Sequence, residues 1–429
     1  MPMSEITRRG AVGLGIGIGL GAAAAGLAGC GTGSDEARPP AGPGRHPDRG
    51  AQSERKAAPQ LIGDGSTAYT GRQPKQPPVP VPLEPGQTPP QFVIFSWDGA
   101  GEVGNGLFPR FLELAENHGA HMTFFLSGLY LLPESKKRLY DPPNNPVGAS
   151  DVGYLTDAHL KETLKYTRQA WLDGHEIGTH FNGHFCAGSG SVANWTPAQW
   201  RSEIEQARVF VKTWRTNTGW HEDDPLPFDY DKELIGGRTP CLLGQDNLLP
   251  VARELGWRYD ASSPGGVQRW PEKRQGLWDL PLQAIPFPGH KFEVLSMDYN
   301  ILANQSKNST RGPSYNYPAW RQQATESYLA GFNRTYETNR APFFIGNHFE
   351  DWNGGIYMDA VEAAFKEIAG KKDVRLVSFR QFVDWLDVQD PNVLDRLRSL
   401  EVGEAPTGGW SQFLGDVAEA PTGATGSTA

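Results

Sequence analysis

The chain has 429 residues and a formal net charge of −9, with no basic cluster beyond its first residues. That balance argues against a nucleic-acid partner, which needs a cationic face. The length leaves room for one large α/β domain with a full core.

Residues 1–30 read as an export signal. Thr7-Arg8-Arg9 has the twin-arginine look of a Tat signal, and a glycine-rich apolar run follows from Ala11 to Ala28. About 18 residues of this composition make a poor membrane span. Leu27-Ala28-Gly29-Cys30 resembles a lipobox, in which the cysteine is acylated and becomes the mature N-terminus. The expected location is therefore the outer face of the cell membrane, with the lipid as the only membrane contact. Residues 31–90 are rich in Pro, Gly, Ser and charge, with eight prolines between Pro74 and Pro90, and read as a disordered tether. Residues 401–429 read as a disordered tail, which leaves 91–400 as the folded domain.

Within that domain strands and helices alternate. Gln91–Trp97 is a continuous apolar run, read as a buried strand ended by Asp98-Gly99. A helical pattern follows over Leu107–His118, then a strand at Met122–Leu126 and a helix over Leu160–Trp171 with Thr156 as N-cap. The next strand is Glu176–Thr179. Thr196-Pro197 opens a helix whose apolar face is Trp200, Ile204, Ala207, Val211 and Trp214, with Gln199 completing a capping box. Later helices are expected near Asn247–Leu255, Tyr317–Asn339, Asp359–Ala369 and Phe379–Leu386, and strands at Trp257–Asp260, Trp278–Leu280, Phe343–Asn347 and Val374–Val377. Such alternation predicts a parallel α/β layout, and buried strands with polar C-terminal ends suit a barrel. Pro133–Tyr154 and Trp220–Gly236 break the rhythm and read as long surface-loop insertions.

The most informative stretch is Gly174 to His184, Gly-His-Glu-Ile-Gly-Thr-His-Phe-Asn-Gly-His. His180 and His184 are four apart at a strand's C-terminal end, and neutral imidazoles so spaced can meet one divalent ion. A packed loop would also suit Gly183 and the flanking Phe181 and Phe185. Other polar residues end strands in the same way: Asp98, Asp260 and His348, with Arg238 in Gly236-Gly237-Arg238-Thr239-Pro240. Each alone has a dull reading as a turn, a cap or a surface charge. Cys186 and Cys241 are an even pair in an exported chain, compatible with a disulfide or with two buried thiols. Thirteen Trp and thirteen Tyr suit a carbohydrate-facing surface, although most of them belong in a core.

With these residues, from about Gln91 to Leu386, the chain resembles the polysaccharide deacetylases, the NodB-homology carbohydrate esterases. His180 and His184 match the family's His-x-x-x-His motif, with Gly174–Ile177 as its lead-in. Asp98 falls on the first aspartate of Thr-Phe-Asp-Asp, Thr123-Phe124-Phe125 on a structural run, and Arg238-Thr239-Pro240 on Arg-x-Pro. Phe95-Ser96-Trp97-Asp98-Gly99-Ala100 and Tyr259-Asp260-Ala261-Ser262-Ser263-Pro264 are chitin-deacetylase-like in flavour. The resemblance implies a distorted (β/α) barrel with long surface-loop insertions, and metal-dependent removal of N-acetyl or O-acetyl groups from an amino-sugar polysaccharide of the envelope or environment. It implies zinc first, with cobalt, manganese or nickel as alternatives. It also implies a role for each residue. His180 and His184 hold the ion, Asp98 is the base, Arg238 orients Asp98, Asp260 keeps His348 charged, His348 is the acid, and the Cys241 N–H faces the oxyanion. A monomer and an N-acetylated glycan partner are expected.

One departure matters. The family's second aspartate, a metal ligand, is Gly99 here. Glu102 could reach back to the ion. Alternatively, Asp98 could ligate while Glu350 or Asp351 acts as base, or the chain could bind sugar without turnover. A glycoside hydrolase using Asp98 with Glu350 or Asp351 is a further alternative, but it would leave the histidines idle.

Overall fold

The computed structural model describes residues 59–415; the export signal and Cys30 lie outside the described residues. A short hairpin, β1 (Gln60–Ile62) and β2 (Thr67–Tyr69), comes first. The barrel strands follow as β3 (Gln91–Gly99), β4 (Thr123–Leu126), β5 (Glu176–Thr179) and β6 (Tyr259–Asp260). Then come β7 (Lys273–Arg274), β8 (Leu277–Asp279), β9 (Ala284–Pro286), β10 (Glu293–Leu295), β11 (Phe343–His348) and β12 (Val374–Leu376).

Half of the ring is regular. β11, β3, β4 and β5 pair in parallel in that order, and β12 pairs with the start of β3. The other half closes through fragments. Thr179 bridges Gly237 in parallel, the Ala261 N–H donates to the Gly237 carbonyl at 3.0 Å, and β6 pairs in parallel with β8. The antiparallel hairpin β9–β10 then intervenes. Beyond it the Ser296 N–H donates to the Gln283 carbonyl at 2.8 Å, and Met297 bridges Gly346 on β11. This is a distorted (β/α) barrel, as the sequence leads one to expect.

β3 reads as an unbroken apolar run, yet its residues still alternate. Val93, Phe95 and Trp97 pack outward into the helical layer, while Phe92 and Ile94 pack inward with Phe125, Tyr259, Leu280 and Phe344. The helix Phe379–Asp387, started by the Ser378–Gln381 capping box, closes the bottom of this interior. Phe379 lies 5.3 Å from Tyr259 and 5.3 Å from Phe344 between ring centroids. The inward parity of Phe92 and Ile94 continues to Ser96 and Asp98, so the apolar interior turns polar at the C-terminal strand ends. Parity thus decides where the site sits.

The capped helices form as their sequences direct. Thr156 accepts a hydrogen bond from the His159 N–H at the start of Asp157–Leu172, and Thr196 with Gln199 caps Pro197–Lys212 reciprocally. Two expectations need correction. The tether does not extend unstructured to residue 90: Ser66, Thr67 and Ala68 are buried, and the Trp214 indole donates to the Ser66 carbonyl at 2.8 Å. Nor is the tail structureless throughout, because the helix Gly409–Gly415 buries Phe413 and Leu414 in the inner cluster. Both segments are short and polar enough to read as loop; tertiary contact orders them. Among the described residues, no helix is long and apolar enough to cross a membrane.

Candidate active site

Asp98 is the last residue but one of β3, and His348, directly opposite in the ladder, ends β11. Parallel pairing in this register brings a carboxylate and an imidazole to one rim. Arg238 enters from the Gly237 segment across the barrel. Its Nη1 donates to Asp98 Oδ1 at 2.8 Å and to Ser96 Oγ at 2.9 Å, and its Nε donates to the Ala261 carbonyl at 3.0 Å. The guanidinium carbon stands 4.8 Å from the Phe125 ring centroid. Arg238 is fully enclosed and Asp98 nearly so. Burial alone would raise the Asp98 pKa. The Arg238 charge, with the His348 charge and the Arg238 hydrogen bond, reverses that and holds it below the usual carboxylate range.

His180 follows β5 directly. The Arg238 carbonyl accepts from its Nδ1 at 2.8 Å, which leaves a lone pair on Nε2. Nε2 is buried and has no hydrogen-bond partner. His184 stands beside it, with ring centroids 5.1 Å apart. Burial, then the neighbouring imidazoles, lowers the His184 pKa to about 3, and burial likewise lowers that of His180. Both rings are therefore neutral, as metal ligation requires. Cys186 and Cys241 form a disulfide with Cα atoms 5.8 Å apart, against the Nδ1 side of His184. The two sulfurs also lie near His184 as a three-residue cluster, but in the bridge they are not thiolate ligands.

His348 differs from the role assignment implied by sequence. Its Nδ1 donates to Asp298 Oδ1 at 2.8 Å, and its backbone N–H donates to Asp298 Oδ2 at 2.7 Å. Burial opposes the imidazolium, but the Asp298 carboxylate, with Asp98 and Glu350 behind it, outweighs burial and pushes the pKa up to about 9. The carboxylate that holds His348 is therefore Asp298, not Asp260. Asp260 instead accepts from the Ser262 hydroxyl at 2.6 Å, and burial raises its pKa to about 7. Met297 bridges β11, so Asp298, the first residue of the helix Asp298–Ser306, emerges beside the C-terminal end of that strand. The run Val294-Leu295-Ser296-Met297-Asp298 carried that signal in the sequence, but it is too short and irregular to stand out.

Glu102 does not join the histidines. Its Oε1 accepts from the Gly104 N–H at 2.7 Å and from the Gly106 N–H at 3.2 Å, fixing the loop before helix Leu107–Asn117. Among the described residues, no cluster of three metal-type ligand atoms includes a carboxylate at this rim. The donor set for an ion is thus two neutral nitrogens, one of them visibly unpartnered. Cys241 lies in a tight turn with φ 57°, next to the His184 loop.

No protein-family model and no curated protein matches the sequence. Solved structures do match it. A Mycobacterium smegmatis protein assigned as a polysaccharide deacetylase aligns at 14% identity and TM-score 0.41, over 71% of this chain and 94% of its own. A family 4 carbohydrate esterase from Streptomyces lividans, in complex with acetate, aligns at 12% identity and TM-score 0.31, over 67% and 90%. A mutant of a CE4 family pseudoenzyme aligns at 12% identity and TM-score 0.35, over 71% and 72%. These solved structures are polysaccharide deacetylases and CE4 esterases, a pseudoenzyme among them.

Proposed function

We propose that the chain is an exported, metal-dependent hydrolase that removes N-acetyl groups from an amino-sugar polysaccharide. One observation carries this reading: two acid/base pairs of opposite poise, the buried Asp98–Arg238 and the part-buried His348–Asp298, face one rim in adjacent strand positions. Mere sugar binding needs no such pairs.

Asp98, ionised, takes a proton from the attacking water. His348, charged, gives a proton to the departing sugar amine, so that it leaves as a neutral group. Arg238 fixes Asp98 in orientation and charge, and Asp298 does the same for His348. The Cys241 N–H is the candidate donor to the oxyanion. His180 and His184 would hold a divalent ion, which supplies a more acidic water and a positive charge for the carbonyl. Zinc suits two imidazoles, as do cobalt, manganese and nickel.

The rival reading is a carbohydrate-binding protein on the same fold. It is favoured by the absence of a carboxylate from the histidine pair. One experiment separates the two: metal content and acetate release are measured on the full chain with an N-acetylglucosamine oligomer and solubilised peptidoglycan. Stoichiometric metal, with acetate release lost on chelation and in His180→Ala, supports the hydrolase. Ligand retention with no acetate under any of the four metals sinks it in favour of the binding protein. Shortened sugar chains in place of acetate would point to a glycoside hydrolase.

A further inference from the structure

The position after Asp98 is Gly99, and its surroundings are specific. A Cβ built on Gly99 would lie 3.5 Å from the Tyr130 ring and 3.6 Å from its hydroxyl oxygen. A Cβ on Gly101 would fall 2.5 Å from the same ring, which only glycine permits. Tyr130 sits on the turn Gly128–Leu131 after β4. That turn is tied to the histidine loop, because the Gly128 N–H donates to the Phe181 carbonyl at 2.8 Å. The charge of Glu350, two residues past His348, also acts on the phenol. Tyr130 therefore packs against the loop that follows Asp98, within reach of the Glu350 charge.

We propose that Tyr130 is a further catalytic residue, whose neutral hydroxyl donates a hydrogen bond to the acyl oxygen of the bound substrate from the space beside Gly99. Nothing described takes this hydroxyl: burial first and Glu350 second shape its titration, with no hydrogen bond. Those two influences push its pKa up to about 12, so the group is a donor at neutral pH. A phenol there offers a proton to a developing charge, whereas a carboxylate at the same place would repel it. The chemical nature of the ligand rests on the deacetylase reading; the placement of the hydroxyl does not.

The test uses the full chain and Tyr130→Phe, which keeps the ring that fills the Gly99–Gly101 turn. Thermal midpoint and metal content should match the parent. Binding of an N-acetylglucosamine trimer, read by calorimetry, should weaken about fivefold, as for loss of one neutral hydrogen bond. The kcat for acetate release should fall about 100-fold with KM changed far less, because a donor to the oxyanion acts most strongly there. Unchanged trimer binding together with unchanged kcat overturns the proposal. Loss of metal from Tyr130→Phe also overturns it, by making Tyr130 a ligand. If the parent binds trimer but releases no acetate, the deacetylase reading fails and the fivefold binding difference alone decides for Tyr130. A parent that neither binds nor turns over overturns both.

Discussion

Asp98 and Arg238 are each buried, so each charge depends on the other. Removing one partner of such a pair leaves an uncompensated charge and costs roughly 3–5 kcal/mol. Arg238→Met should therefore lower the unfolding free energy by about that amount, measured by denaturant titration. The same change should raise the Asp98 pKa. Asp98 acts ionised, so the acid limb of kcat/KM should move to higher pH. The signs for the second pair run the other way. His348 acts protonated and its pKa is about 9, so activity should fall as pH rises through that value. Asp298→Asn removes the supporting carboxylate and should move that limb downward, toward the ordinary histidine value of about 6.5. NMR titration of the His348 ring checks this without turnover. Asp260→Asn should leave the same titration in place, because Asp260 is engaged with Ser262.

At the scale of elements, the turn Gly99–Gly101 and the turn Gly128–Leu131 are fitted to each other. Gly101→Ala places a methyl against the Tyr130 ring. Overpacking of this kind typically costs about 1–3 kcal/mol. Unfolding of Gly101→Ala, of Tyr130→Ala and of the double variant measures the coupling: in the Tyr130→Ala background Gly101→Ala should cost little. A loss of equal size in both backgrounds would deny that the two turns are matched. The capped helices are simpler. Thr196→Ala should cost about 1 kcal/mol, because it removes one half of a reciprocal cap.

Over the whole molecule, the Cys186–Cys241 bridge ties the His184 loop to the Arg238 segment across a sequence separation of 55 residues. Chain entropy gives such a closure about 4 kcal/mol. Reductant should lower the unfolding midpoint accordingly. It should also loosen His184, which packs against both sulfurs, and so reduce metal retention before the fold is lost. The hairpin β1–β2 is a second long-range tie: the Ala68 N–H donates to the Leu226 carbonyl at 2.9 Å, which anchors the second insertion.

Elements whose signals are local can be read from short stretches of sequence. Strand β3 with its terminal Asp98, the capped helices, the strand into His180, and the alternation that makes an α/β barrel are all written in short windows. Asp98, Arg238, His180, His184 and His348 were legible as strand-end residues for the same reason. Closure of the fold set what depends on distant partners. It chose Asp298 over Asp260 for His348, since Met297 joins β11 through a single bridge that no periodicity announces. It turned Glu102 to its own loop amides, ordered residues 60–69 against Trp214 and Leu226, and filled the place beside Gly99 with Tyr130. Propensity and parity act over a few residues, whereas a buried charge is matched by whichever partner the closed ring brings within reach.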